Sequence, residues 1–188
     1  MPIRPIVITG NPVLHTPAIE VTELNDELRT LVEDMYLTMD AAPGVGLAAP
    51  QIGVNLRIFV YDWDAADGTP QRGVVINPKL EISAVSSEPA DEETESEGCL
   101  SVPGERFPLK RGDRAVLTGV DLDQKPVHIE AEGWFARIFQ HEFDHLNGTL
   151  YVDRLEEIYK PELAEIISER GWGVDGLSWM PGVDNLED

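Results

Sequence analysis

The chain has 188 residues, enough for one well-buried domain with an ordered tail, and its apolar and charged fractions suit a soluble globular protein. Thirty-five acidic against 14 basic residues give a formal net charge of −21, which excludes binding nucleic acid or anionic lipid through a broad basic surface. The lone cysteine, Cys99, excludes an intrachain disulfide; with no run near the roughly 20 apolar residues of a membrane span and no leader-like N-terminus, the expected location is the cytoplasm.

Residues 1–22 carry several prolines and predict an extended lead-in. Over 25–39 the apolar positions Leu28, Leu31, Val32, Met35, Tyr36 and Met39 keep helical spacing, with Asn25 or Asp26 available as N-cap. Residues 41–46 hold two glycines and a proline and end that helix; 44–51 then reads as a tight turn leading into a strand. Short β-branched runs at 56–61, 74–77, 80–83, 114–120 and 127–132 predict strands. Residues 87–97 include six acidic positions and a proline, and predict a solvated flexible loop or, as a sharper alternative, a protein-docking loop. A second helix is predicted over 134–146, stopped by Asn147-Gly148, and a short third one over 161–170, with Gly171 just past its end. The stretch 1–170 reads as one folded domain and 171–188 as an irregular acidic tail pinned by Trp172 or Trp179.

The second helix carries the chemistry. Gln140-His141-Glu142-Phe143-Asp144-His145 is an HExxH arrangement: helical spacing stacks the two imidazoles on one face, where they can grip one metal ion, with Glu142 beside them. Two histidines do not complete a catalytic site, which usually has three protein ligands. In the metzincin continuation the third His position is Tyr151 here. A protease-type carboxylate ligand would come from Glu156, Glu157, Glu162 or Glu165, and a thiolate ligand from Cys99. Gly44–Gln51 lacks the Lys-Ser/Thr of a phosphate loop.

Three segments, Gly44–Gln51, Glu97–Ser101 and Gln140–Gly148, resemble in order and nearly residue for residue the GφGφAAPQ, EGCLS and QHExDHLxG motifs of peptide deformylases (φ apolar). The likeness extends over roughly 3–170. It implies an α+β fold of short antiparallel sheets around a central metal-binding helix. The implied activity is removal of the formyl group from the N-terminal formylmethionine of nascent polypeptides, releasing formate.

The resemblance further implies Cys99, His141 and His145 as ligands of one divalent metal per chain. That metal would be ferrous iron, with zinc, nickel or cobalt able to substitute. Glu142 would be the general base, with the Gln51 amide and the Leu100 backbone N–H stabilising the oxyanion. By position in the family pattern Val45, Trp134 and Ile138 line a pocket for the methionine side chain, with Arg137 at its rim. Gly46 and Gly98 leave room for an extended peptide, and Arg106 stands at the cleft mouth. Gln140 is a candidate hydrogen-bonding residue near the metal, and Asp144 a partner for Arg111. Some deformylases dock on ribosomes through a basic C-terminal helix; here 160–170 also holds Glu162, Glu165 and Glu169, so at most a transient ribosome encounter, without direct nucleic-acid binding, is expected. An HExxH endopeptidase and a non-catalytic metal-binding adaptor remain the competing readings.

Overall fold

The structure, a computed structural model, describes residues 2–64, 68–184 and 186. The lead-in forms a short strand, β1 (Ile6–Val7), and then a 3-10 turn over Pro12–His15. That turn departs from the extended path expected: Asn11 caps it by accepting the Val13 N–H, and Leu14 is driven fully into the core. Helix α1 (Asp26–Ala41) starts as expected, the Asn25 side chain accepting the Leu28 N–H at 2.9 Å.

Five strands form one antiparallel sheet in the order β2 (Gly46–Ala48), β3 (Ile58–Asp64), β4 (Pro70–Ile82), β7 (Arg114–Val120) and β8 (Pro126–Glu132). Both faces of its β2–β4 part are covered. Leu47, Ile58, Val60, Val74 and Ile76 pack with the Leu28, Val32, Met35 and Met39 stripe of α1. The alternate residues Ala48, Phe59, Tyr61 and Val75 pack with Ala136, Ile138 and Phe139 of helix α2 (Gly133–Leu146). Double coverage is why β3 begins as an uninterrupted apolar run. The hairpin of β5 (Ser96–Cys99) and β6 (Val102–Pro108) lies on the other side of α2, tied to it by side-chain bonds described below. Helix α3 (Lys160–Arg170) follows, and β9 (Ser178–Trp179) returns to pair with β1. No helix among the described residues is long and apolar enough to cross a membrane.

Three further expectations change. The runs 74–77 and 80–83 are one strand, β4, continuous through an irregularity at Asn77-Pro78. Asn77 adopts φ 50° there, and its side-chain amide bonds both the N–H and the C=O of Val21, which fastens the lead-in to the sheet. Gly46–Ala48, read as part of a turn, is itself a strand, because its backbone completes the sheet edge beside β3. The acidic segment 87–97 is not solvated throughout. Ser96 and Glu97 enter β5, Glu97 is only 3% exposed, and Lys110 holds Glu95 at 2.7 Å. The tail is pinned by both tryptophans: Trp179 is buried, and Trp172 packs partly against the core.

Candidate metal centre

Helix α2 and the β5–β6 hairpin bring three donor atoms to one point. His141 Nε2 and His145 Nε2 lie 3.2 Å apart, and Cys99 Sγ lies 3.3 Å from His145 Nε2; all three atoms fall within 4.8 Å of one another. Ligand bonds of about 2.0–2.3 Å at tetrahedral angles place such donors about 3.3–3.7 Å apart, so the residues present fit a single divalent cation. No other group of three potential ligands occurs among the described residues. Glu156, Glu157, Glu162 and Glu165 are exposed and belong to no such group.

The donor residues are held from behind. Glu97 Oε1 faces His141 Nδ1 at 3.2 Å, and the Tyr151 ring stacks on the same imidazole, centroids 5.9 Å apart. Tyr151 therefore serves as packing where a metzincin would place a ligand. Glu97 is in turn gripped by Arg111 (2.5 and 3.2 Å) and Arg137 (3.0 Å). Burial alone would raise the Glu97 carboxyl, but the His141 bond and the Arg111 charge outweigh it and hold the group well below the usual carboxylate range. Arg111 also reaches Asp144 at 2.6 Å, the pair expected from the sequence, and Arg154 takes both Asp144 oxygens at 2.7 Å. Gln140 bonds the N–H and C=O of Gly112 and none of the three donors. It ties the segment between β6 and β7 to α2.

Glu142 stands beside this centre, 4% exposed, and its Oε2 has no hydrogen-bond partner. Burial is the main cause that pushes its carboxyl up to about 7; His141 pulls the other way and Glu97 adds to the rise. A Cβ at residue 46 would lie 2.3 Å from Glu142 Oε1, so the space left by Gly46 is filled by this carboxylate. Gln51 follows β2 in a 3-10 turn and is 1% exposed. Its Oε1 accepts the Ala48 N–H at 2.8 Å, which turns Nε2 toward Cys99 Sγ, 3.7 Å away.

A cavity of about 260 Å³ opens onto these groups. Of the thirteen residues given ligand, catalytic or peptide-binding roles from the family likeness, all but His145 line it, and His145 is joined to it through His141 and Cys99. Val45 and Trp134 are more than 40% exposed, Ile138 is buried, and Arg106 is exposed. Gly98 lies under Arg106, whose Cγ would be 3.4 Å from an added Cβ. Arg137 lines the cavity, but its guanidinium is engaged by Glu97 and by the Leu109 carbonyl at 2.6 Å and lies over the Trp134 ring. Sequence reasoning missed Trp63, which also lines the cavity; its signal was an aromatic two positions beyond Tyr61 on the same strand. It also missed the hub at Glu97, placed in the acidic loop.

The family model described as polypeptide deformylase matches residues 3–161. A relative named peptide deformylase from Mycolicibacterium smegmatis is 52% identical, with 97% of this chain and 96% of that protein aligned. Peptide deformylase 2 of Corynebacterium efficiens is 51% identical, with 98% and 96% aligned. Among solved structures, the peptide deformylase of Synechococcus elongatus in complex with actinonin is 38% identical. It covers 92% of this chain and 90% of its own, with a TM-score of 0.75.

Proposed function

The chain belongs to the polypeptide deformylase family, hydrolases of N-formylmethionyl peptides, and we propose that Cys99, His141, His145, Glu142, Gln51 and Leu100 carry that reaction here. The reaction removes the formyl group from the N-terminal methionine of new polypeptides and releases formate. The observation that carries the assignment of roles is the convergence of one thiol and two imidazoles beside a buried carboxylate whose Oε2 is unpartnered.

Cys99 Sγ and the two Nε2 atoms would hold one divalent cation per chain, ferrous iron in the native protein, with zinc, nickel or cobalt able to substitute; the thiolate–imidazole donor set accepts all of these. When bound, the cation supplies a Lewis acid that lowers the pKa of water and polarises the formyl carbonyl. Glu142 takes the proton of the attacking water at its free oxygen and returns it to the departing methionine nitrogen. Burial favours the protonated form of Glu142, so a proton taken from water can be held there and passed on. The Gln51 Nε2–H and the Leu100 N–H donate to the oxygen of the formyl carbon as it becomes tetrahedral. Glu97 fixes the His141 ring and its tautomer through Nδ1.

The methionine side chain occupies the cavity between Val45, Trp134 and Ile138, while Gly46, Gly98, Arg106 and Arg137 border the path of the peptide. An endopeptidase reading requires a carboxylate ligand, and the exposed glutamates after α2 disfavour it. The protein meets nascent chains in the cytoplasm by diffusion or a transient ribosome encounter, without nucleic-acid binding, as the charge of −21 favours.

Gln51→Ala tests the assigned roles. Removing one preorganised oxyanion donor costs on the order of 3 kcal/mol in the barrier, so kcat is expected to fall by about two powers of ten with metal content intact. Loss of metal in proportion to activity would contradict the role given to Gln51.

A further inference from the structure

The two ends of the chain converge on one turn at the site. Leu100 and Ser101 are the two residues between β5 and β6, directly after Cys99. Both of their carbonyls are taken, one by each end. From the lead-in, the Thr9 N–H donates to the Ser101 carbonyl at 2.8 Å. From the tail, the indole N–H of Trp179 donates to the Leu100 carbonyl at 2.8 Å. The Ser101 N–H points at Cys99 Sγ, 3.4 Å away. No acceptor among the described residues meets the Leu100 N–H, the donor assigned above to the oxyanion.

Trp179 is itself held in place. It is 3% exposed, packs in the cluster that includes Ile6 and Leu100, and pairs with Ile6 in the β1–β9 ladder. The Ile8 N–H donates to the Leu177 carbonyl at 3.0 Å, and the Gly173 N–H to the Thr9 carbonyl at 3.1 Å. At Gly10 a Cβ would lie 2.3 Å from the carbonyl carbon of Gly173, so the tail rests on the lead-in backbone against backbone. A buried indole N–H seeks an acceptor, and the one this packing offers is the Leu100 carbonyl.

We propose that Trp179 is a positioning residue for deformylation: its indole N–H pins the Leu100–Ser101 peptide and thereby keeps the Leu100 N–H aimed at the reacting oxygen. The inference rests on the oxyanion role given to Leu100. The Leu100 N–H belongs to the Cys99–Leu100 peptide plane, which meets the pinned Leu100–Ser101 plane at the Leu100 Cα; with the latter held by Trp179 and Cys99 paired with Val102 in the β5–β6 ladder, that N–H is restrained from both ends. A donor fixed in advance needs no reorganisation as charge develops. The tail after α3 then belongs to the catalytic machinery although it lines no part of the cavity.

Trp179→Phe keeps an aromatic ring and removes the N–H. With the metal-loaded protein and formyl-Met-Ala-Ser, kcat is expected to fall about tenfold, a fraction of the 10²–10³ lost when an oxyanion donor is removed outright. KM and metal per chain should stay unchanged, and the Leu100 amide should show a lower NMR order parameter in the zinc-loaded protein. Benzothienylalanine at position 179, which keeps the bicyclic shape without the N–H, should behave the same way if phenylalanine packs poorly. Leu31→Ala, in helix α1 and away from the turn and the tail, should lower Tm and leave kcat within about twofold. Wild-type kcat in both 179 variants, or a loss that tracks Tm or metal content, overturns the proposal. Failure of the wild-type enzyme to release formate overturns instead the reading of the site.

Discussion

Glu142→Gln is expected to lower kcat by about three orders of magnitude while the fold and one metal ion per chain are retained. General acid–base catalysis by a positioned side chain typically contributes about 10²–10⁴-fold, and glutamine keeps the shape of Glu142 while losing its proton affinity. Glu142 supplies no ligand atom to the Cys99–His141–His145 group, so metal content is the control that isolates its chemical role. The same substitution should stabilise the metal-free protein at high pH. A carboxyl held at about 7 in the folded state keeps its proton where the unfolded chain, near 4.5, has lost it. Folded protein then binds more protons than unfolded protein between those values, and stability falls as pH rises through that window. Glutamine removes this loss, worth up to about 3 kcal/mol above pH 7, and the two proteins should converge below pH 4.5. Steady-state kinetics, metal analysis and melting across pH check both arms; a variant within tenfold of wild-type kcat would remove Glu142 from the mechanism.

Glu97→Ala should damage stability and metal retention together. Its carboxylate neutralises two buried guanidiniums and orients His141, with bonds to Arg111 and Arg137 between 2.5 and 3.2 Å. Removing one partner from a buried ion pair costs about 3–5 kcal/mol, because the remaining charge stays buried; here Asp144 still serves Arg111, which favours the lower end. Losing the bond behind a metal-binding imidazole should weaken metal affinity about 10- to 100-fold. Glu97→Gln separates the two effects. Its amide oxygen can still accept from His141 Nδ1, so metal affinity should suffer less while the charge-dependent stability is still lost. Denaturant unfolding and competition with a chelator measure the two; equal metal affinity in the wild type and Glu97→Ala would show that His141 needs no support from behind.

The parts legible in the sequence are those governed by short-range patterns. Helix α1 and its Asn25 cap, strand β7 and helix α2 follow from apolar spacing and turn residues, and the paired histidines follow from helical geometry. The third ligand did not follow from spacing, since Cys99 lies on a separate hairpin; the likeness of three motifs brought it in. The β5–β6 hairpin was hidden because its first strand follows acidic residues whose composition signals solvent. Glu97 is buried only because Arg111 and Arg137 arrive from elsewhere in the chain, and no local pattern announces that meeting. The 3-residue β2 is too short to show a period, and Asn77-Pro78 looked like a break where the bonds to Val21 carry the strand through. Trp179 was anticipated as an anchor of the tail, but its acceptor, the Leu100 carbonyl, is 79 residues away in sequence.

The central claim is that a Cys99–His141–His145 centre with Glu142 removes a formyl group and leaves peptide bonds intact. Anaerobically purified protein, incubated with formyl-Met-Ala-Ser while formate, Met-Ala-Ser and bound metal are quantified, tests it most directly. The account predicts one formate for each Met-Ala-Ser produced, with one ferrous ion per chain, and loss of that ion in Cys99→Ser. Release of Ala-Ser, absence of formate from protein that holds its metal, or an unchanged metal content in Cys99→Ser would contradict it.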